Sequence, residues 1–276
     1  MSGSADQPGA QFQRDSSMNV AILCGGQGTR LREETEFRPK PLVEIGGRPV
    51  LWHIMKFYAH HGFTNFILCL GYRGNMIKEH FLNYEAMNND LTVCLGARQT
   101  IEYHGTHDER DFRVTLADTG LNSMTGARVK RIEKYVDGDM FMLTYGDGLS
   151  TVNIKTLLEF HKSHGRLATV TTVRPISRFG ILDLDDSGSV AQFAEKPTLG
   201  GWISAGFFVF NRRVFDYLKA DPGCVLEQEP MARLAREGQL MAYRHDGFFY
   251  AMDTYREFQF LNEQWDSGNA PWKVWA

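Results

Sequence analysis

From Met18 to about Val173, short runs of mostly apolar residues alternate with longer segments whose apolar residues recur every three or four positions. The short runs fall at residues 19–23, 65–70, 91–95, 140–145 and 168–173. Runs of this length and apolarity read as strands covered on both faces. The longer segments fall at 50–61, 74–83, 127–136 and 154–164, with Ile154, Leu157, Leu158 and His161 as one clear helical stripe. Parallel strands need a crossover, and a helix supplies it. The alternation therefore predicts an α/β fold, a mostly parallel sheet with helices on both faces. Ligands of such sheets collect outside the carboxyl ends of the strands.

The first strand runs directly into Gly25-Gly26-Gln27-Gly28-Thr29-Arg30-Leu31, and Arg38-Pro39-Lys40-Pro41 follows soon after. Glycines let a backbone approach phosphates and aim its N–H groups at them. Arg30 adds a fork of donors and Lys40 a compact charge. A dinucleotide-binding loop is the obvious alternative. It requires a third glycine where Leu31 stands, a helix through the stretch that holds Pro39 and Pro41, and an acidic end to the next strand. That strand ends in Gly71-Tyr72 instead.

Beyond Arg178 the pattern changes. Residues 179–184 and 190–194 read as a hairpin around Asp185-Asp186-Ser187-Gly188. A strand over 202–210, helices near 214–219 and 230–236, a strand over 239–245 and a helix over 255–265 follow. No linker or repeat divides these parts, so residues 18–276 read as one domain. Residues 1–17 are rich in Ser, Gly, Gln and Asp and lack the basic start and apolar stretch of a signal peptide. They are expected to be a disordered extension, with Met18 as the original start.

The formal net charge of −3, without a basic run, argues against nucleic-acid and membrane-surface partners. No apolar stretch approaches the roughly 20 residues of a membrane span. The four cysteines, at 24, 69, 94 and 224, have no metal or redox spacing. Cys24, Cys69 and Cys94 lie in apolar runs and are expected to be buried thiols of a reducing, cytoplasmic compartment. Asp147 follows the run 140–145 between Gly146 and Gly148. A carboxylate so placed suits a hard cation with phosphates, and equally a turn.

Taken together these residues resemble the sugar-phosphate nucleotidyltransferases, and within them the bacterial glucose-1-phosphate cytidylyltransferases. The likeness extends from Met18 to Trp275. It includes 44–56, Asp118-Thr119-Gly120, Thr125-Gly126-Ala127-Arg128, Tyr145-Gly146-Asp147-Gly148, Glu195-Lys196-Pro197, 227–230, Met252-Asp253-Thr254 and the ending 268–275. The resemblance implies the nucleotidyltransferase fold, a Rossmann-like sheet with a smaller antiparallel part forming a sugar pocket. It implies CTP and a sugar 1-phosphate as substrates and Mg²⁺ held by Asp147 and Asp253. Arg30, Lys40 and Asp147 become the catalytic set. Leu23, Gly25, Gly26, Gly28, Thr29, Thr119, Arg128 and Gly146 join Arg30 and Lys40 around the nucleotide. Glu195, Lys196, Ser204 and Gly206 fall to the sugar phosphate.

One departure stands out. The family's Ile-Asn-Gly-Gly-Phe-Phe is here Ile203-Ser204-Ala205-Gly206-Phe207-Phe208, so another sugar 1-phosphate or another small phosphorylated or phosphonylated acceptor remains an alternative. A nucleotide-binding relative without activity is disfavoured, because Lys40, Asp147, Lys196 and Asp253 are all present. Tyr103, His104 and His107, with no second cluster to pair with, read as a mobile loop or an oligomer contact rather than a metal site. The tail with Pro271, Trp272, Val274 and Trp275 must pack on its own domain or on a neighbour. It is expected to support a homo-oligomer.

Overall fold

The computed structural model describes residues 18–96, 100–175, 179–195, 198 and 200–275. Seven strands build the central sheet: β1 (Asn19–Cys24), β2 (Asn65–Leu70), β3 (Arg113–Asp118), β4 (Met140–Tyr145), β5 (Ala168–Val173), β6 (Ile203–Asn211) and β7 (Leu240–Arg244). Their order is β7-β5-β6-β4-β1-β2-β3. Only β6 runs antiparallel to its neighbours, and every other adjacent pair is parallel. Residues 1–17, expected to be an extension, lie outside the described residues.

Side chains of a strand alternate between faces, and β1 displays this directly. Val20 and Ile22 enter a core shared with α1 (Val50–His60), α4 (Ile154–His164) and α6 (Tyr255–Asp266). Ala21 enters a second core with Val129 of α3 (Thr125–Arg131) and Leu234 of α5 (Glu229–Arg236). Helix α2 (Gly74–Leu82) adds Ile77 to the first core. Both faces are thus covered, as an all-apolar central strand demands.

The structure departs from the expectations at several elements. Residues 91–95 do not join the sheet; Leu91–Cys94 pairs antiparallel with Thr100–Tyr103 in a separate hairpin, and Cys94 is exposed rather than buried. The edge of the sheet is β3 instead. The helix expected over 127–136 is α3, broken at Ile132 and followed by a 3₁₀ turn over Glu133–Tyr135, and a second 3₁₀ turn, Arg212–Tyr217, replaces the helix near 214–219. The hairpin Ile181–Leu184 and Val190–Ala194 forms as expected, with the Asp185 carboxylate accepting the Ser187 and Ser189 amides.

The carboxy-terminal tail packs on its own chain. Trp272 is fully buried, stacks on Phe248 at 5.7 Å and donates its indole N–H to His53 Nδ1 at 3.3 Å. Trp275 meets Trp52 edge-on at 5.7 Å. These tryptophans form an intramolecular clasp, the first of the two packings expected of the tail.

Candidate active site

The loop after β1 owes its shape to a tight return. Gly28 adopts φ +63°, and a side chain there would meet Thr35 Cγ2 at 2.7 Å. The Thr35 hydroxyl donates to the Gly28 and Leu31 carbonyls at 3.0 and 2.7 Å, closing the turn beneath the loop. Pro39 is extended and opens the 3₁₀ turn Lys40–Leu42. That turn sends the Lys40 side chain into the same space as the loop.

Asp147 and Asp253 arrive from distant sequence by one short ladder. Gly148–Ser150 pairs antiparallel with Phe249–Ala251, and the Met252 amide donates to the Asp147 carbonyl at 3.0 Å. The two carboxylates thereby converge. Lys40 Nζ donates to Asp147 Oδ2 at 2.5 Å and to Asp253 Oδ1 at 2.8 Å. Arg30 Nη2 reaches Asp253 Oδ1 at 3.0 Å. Burial opposes the Lys40 charge, but the two carboxylates outweigh it and hold its pKa above the ordinary value. Thr254, the next residue, caps α6 and forms a capping box with Glu257, so the Asp253 carboxylate is left to the cleft.

These groups open into a cleft of about 380 Å³ at the carboxyl end of the sheet. Leu23, Gly25, Gly26, Gly28, Thr29, Arg30, Lys40, Arg128, Gly146, Asp147 and Asp253 line it. Thr119 lies behind the wall, where its hydroxyl donates to the Leu70 carbonyl at 2.6 Å. Arg128, within α3, is buried. Its guanidinium donates to the carbonyls of Gly25, Leu70, Gly120 and Leu121 and to Thr119 Oγ1. It joins the first loop to the Thr119–Leu121 segment.

The proposed sugar side is less gathered. Gly206 backs onto the Tyr145 ring, which lines the cleft, and Ser204 Oγ accepts the Gly206 amide at 3.3 Å. Glu195 follows the exposed 181–194 hairpin, and neither it, Ser204 nor Gly206 lines the cleft. Lys196 lies outside the described residues.

Sequence reasoning assigned no role to Ser123, Met124, Thr125 and Tyr145, which also line the cleft, or to Glu227. The Tyr145 hydroxyl donates to Glu227 Oε1, and the Thr125 hydroxyl donates to Oε2 at 2.6 Å. Burial and Glu227 together push the Tyr145 pKa up, so the phenol stays a donor. Glu227 braces two walls of the cleft, and only its place in the 227–230 motif hinted at a role. Cys24 also lines the cleft, and burial raises its thiol well above the ordinary range, which disfavours a thiolate nucleophile.

The donor set fits a hard divalent cation. Two carboxylates meet at one point with the cleft open beside them for phosphate oxygens. Among the described residues no cluster of three or more His, Cys, Asp or Glu forms a rival metal site. His104 instead pairs with Thr92 at 2.7 Å, and His107 with Glu85 at 2.8 Å.

A family model described as "Nucleotidyl transferase" matches residues 19–247. The chain is 49% identical over 260 residues to the glucose-1-phosphate cytidylyltransferase of Salmonella typhi, covering 94% of this chain and all of the relative. It is 43% identical over 258 residues to the probable glucose-1-phosphate cytidylyltransferase of Bacillus subtilis, covering 94% of this chain and again all of the relative. The crystal structure of HddC from Yersinia pseudotuberculosis superposes with a TM-score of 0.65 at 22% identity, covering 90% of this chain and 99% of that one. That likeness speaks to the fold.

Proposed function

The chain belongs to the nucleotidyl transferase family, and from that membership we propose that it transfers a cytidylyl group from CTP to glucose 1-phosphate, giving CDP-glucose and pyrophosphate. The observation that carries this reading is the meeting of Lys40, Arg30, Asp147 and Asp253 beside the glycine loop. The names and near-complete coverage of the relatives support the substrates.

A sugar-1-phosphate oxygen is already an anion at neutral pH. It attacks the α-phosphorus, a new P–O bond forms, and the bond to pyrophosphate breaks. Neither a protein nucleophile nor a base is needed. Bringing two polyanions together and stabilising charge in line is the difficulty. Lys40 and Arg30 take the β- and γ-phosphates. Backbone N–H groups of the 25–28 loop approach the triphosphate, and Arg128 keeps that loop against the Thr119–Leu121 segment. Asp147 and Asp253 would hold Mg²⁺, which when bound neutralises phosphate charge. Glu195, Lys196, Ser204 and Gly206 serve the acceptor side. The backbone of the first loop and of Asp118–Gly120 reads the base.

No helix among the described residues is long and apolar enough to cross a membrane. We assign the protein to the cytoplasm and to a homo-oligomer. One observation favours a second acceptor. Ser204 stands where the family has asparagine, and its hydroxyl is engaged by the Gly206 amide. Pyrophosphate release should therefore be measured for each common nucleoside triphosphate against a panel of sugar phosphates. CTP with glucose 1-phosphate is expected to give the highest kcat/KM. Turnover with CTP and a different acceptor would favour the second reading, and none with any pair would refute the function.

A further inference from the structure

We propose that Lys40 competes with the divalent metal for Asp147 and Asp253, so that the metal gains this pair of carboxylates only as a triphosphate draws the ammonium away. The inference deepens the cytidylyl-transfer reading and rests on it.

One ammonium touches both carboxylates, at 2.5 and 2.8 Å, and its side chain is only 12% exposed. An ammonium and a divalent cation cannot both sit at that distance from the same oxygens. The two like charges would stand too close together in a cleft walled by protein. The charges also balance without a metal, since Lys40 and Arg30 answer Asp147 and Asp253. A metal arriving alone would have to separate a half-buried, doubly bonded ion pair and leave the ammonium without those acceptors. A triphosphate changes that. Its oxygens are acceptors for Lys40 and Arg30, and the freed carboxylates then face the metal. The lysine rises from the short turn Lys40–Leu42 and borders the same cleft as the glycine loop, where a triphosphate would meet it.

Binding of Mn²⁺ alone, without nucleotide, reads this directly by titration calorimetry or by electron paramagnetic resonance of the free ion. The wild-type protein should bind it weakly. Lys40→Met should bind it on the order of tenfold tighter or more, within the usual range of couplings between sites. Lys40→Gln serves as the second variant, and Mn²⁺ should raise the melting temperature of both variants more than that of the wild type. Asp147→Asn added to Lys40→Met should abolish the gain. Arg30→Gln removes a charge that is mostly exposed and, among the described residues, pairs with Asp253 and not Asp147, and should gain little. Equal or weaker Mn²⁺ binding in both Lys40 variants would overturn the proposal. So would a gain that survives Asp147→Asn, or one matched by Arg30→Gln. Turnover of CTP with glucose 1-phosphate by the wild type tests the underlying function separately, so the two failures are distinguishable.

Discussion

Asp147 and Arg128 both line the cleft, yet their removal should harm the protein in opposite ways. Among the described residues Asp147 has one cationic partner, Lys40; it stands at a strand end and faces the open space. Asp147→Asn should lower kcat by at least about a hundredfold, the scale of losing an electrostatic stabiliser, with an unchanged urea midpoint. Near-normal kcat at saturating Mg²⁺ would reject its role as a metal ligand. Arg128 is buried and gives its donors to four carbonyls and a hydroxyl. Arg128→Met should cost about 3 kcal/mol or more in folding stability, because those acceptors lose their donor in a dry place. A urea series that shows no loss would refute this. The difference in legibility has the same origin. Asp147 was singled out only together with the glycine loop and Asp253, since a carboxylate between two glycines after an apolar run suits a turn as well as a cation. The acceptors of Arg128 are mostly backbone atoms scattered from Gly25 to Leu121, and Glu227 meets Tyr145 and Thr125 only through the fold. No residue pattern encodes either.

Among the elements, strands covered on both faces were readable because their apolar runs are continuous, as in β2, which is buried at every position. The edge strand β3 was missed for the converse reason. Arg113-Val114-Thr115-Leu116-Ala117-Asp118 is half-exposed and alternates weakly, while the more apolar Leu91–Cys94 ended up in an exposed hairpin. Only the partner strand distinguishes the two, and pairing is non-local. The turn between β2 and α2 hides a similar feature. Arg73 is the one described non-glycine residue at positive φ, +49°. It donates to the carbonyls of Glu36 and Phe37 at 2.7 and 3.3 Å, latching the segment between Arg30 and Lys40 onto the end of β2. Arg73→Ala loses the latch and keeps the strained backbone; Arg73→Gly loses the latch and relieves the strain. Both should raise the KM for CTP. The glycine variant should be the more stable by about 1 kcal/mol. Equal urea midpoints for the two variants would mean that the backbone at 73 carries no strain.

For the molecule as a whole, acid should open the clasp that closes the chain. His53 is fully buried among Trp52, Trp265, Trp272 and Trp275. Its Nε2–H donates to the Ile45 carbonyl at 2.9 Å, while Nδ1 accepts the Trp272 indole N–H. A second proton would set N–H against N–H in a dry site. Burial accordingly lowers its pKa from 6.5 to about 4. His61 and His161 are lowered to about 4 as well, also chiefly by burial. Between those two pH values the unfolded chain binds protons that the folded chain refuses. Stability is therefore fully present above pH 6.5 and falls as the pH drops toward 4. His53→Gln tests the share of the clasp, since an amide keeps one donor and one acceptor and does not titrate. Between pH 7.5 and 5 the wild type should lose about 2 kcal/mol more than the variant, from urea midpoints. Removing residues 271–276 should lower stability at pH 7.5 by about 3–5 kcal/mol, the usual result of emptying a tryptophan site. With water admitted to His53, the extra acid loss should vanish, and the truncated chain should keep its assembly state. Parallel pH slopes for the wild type and His53→Gln would show that the clasp does not sense acid.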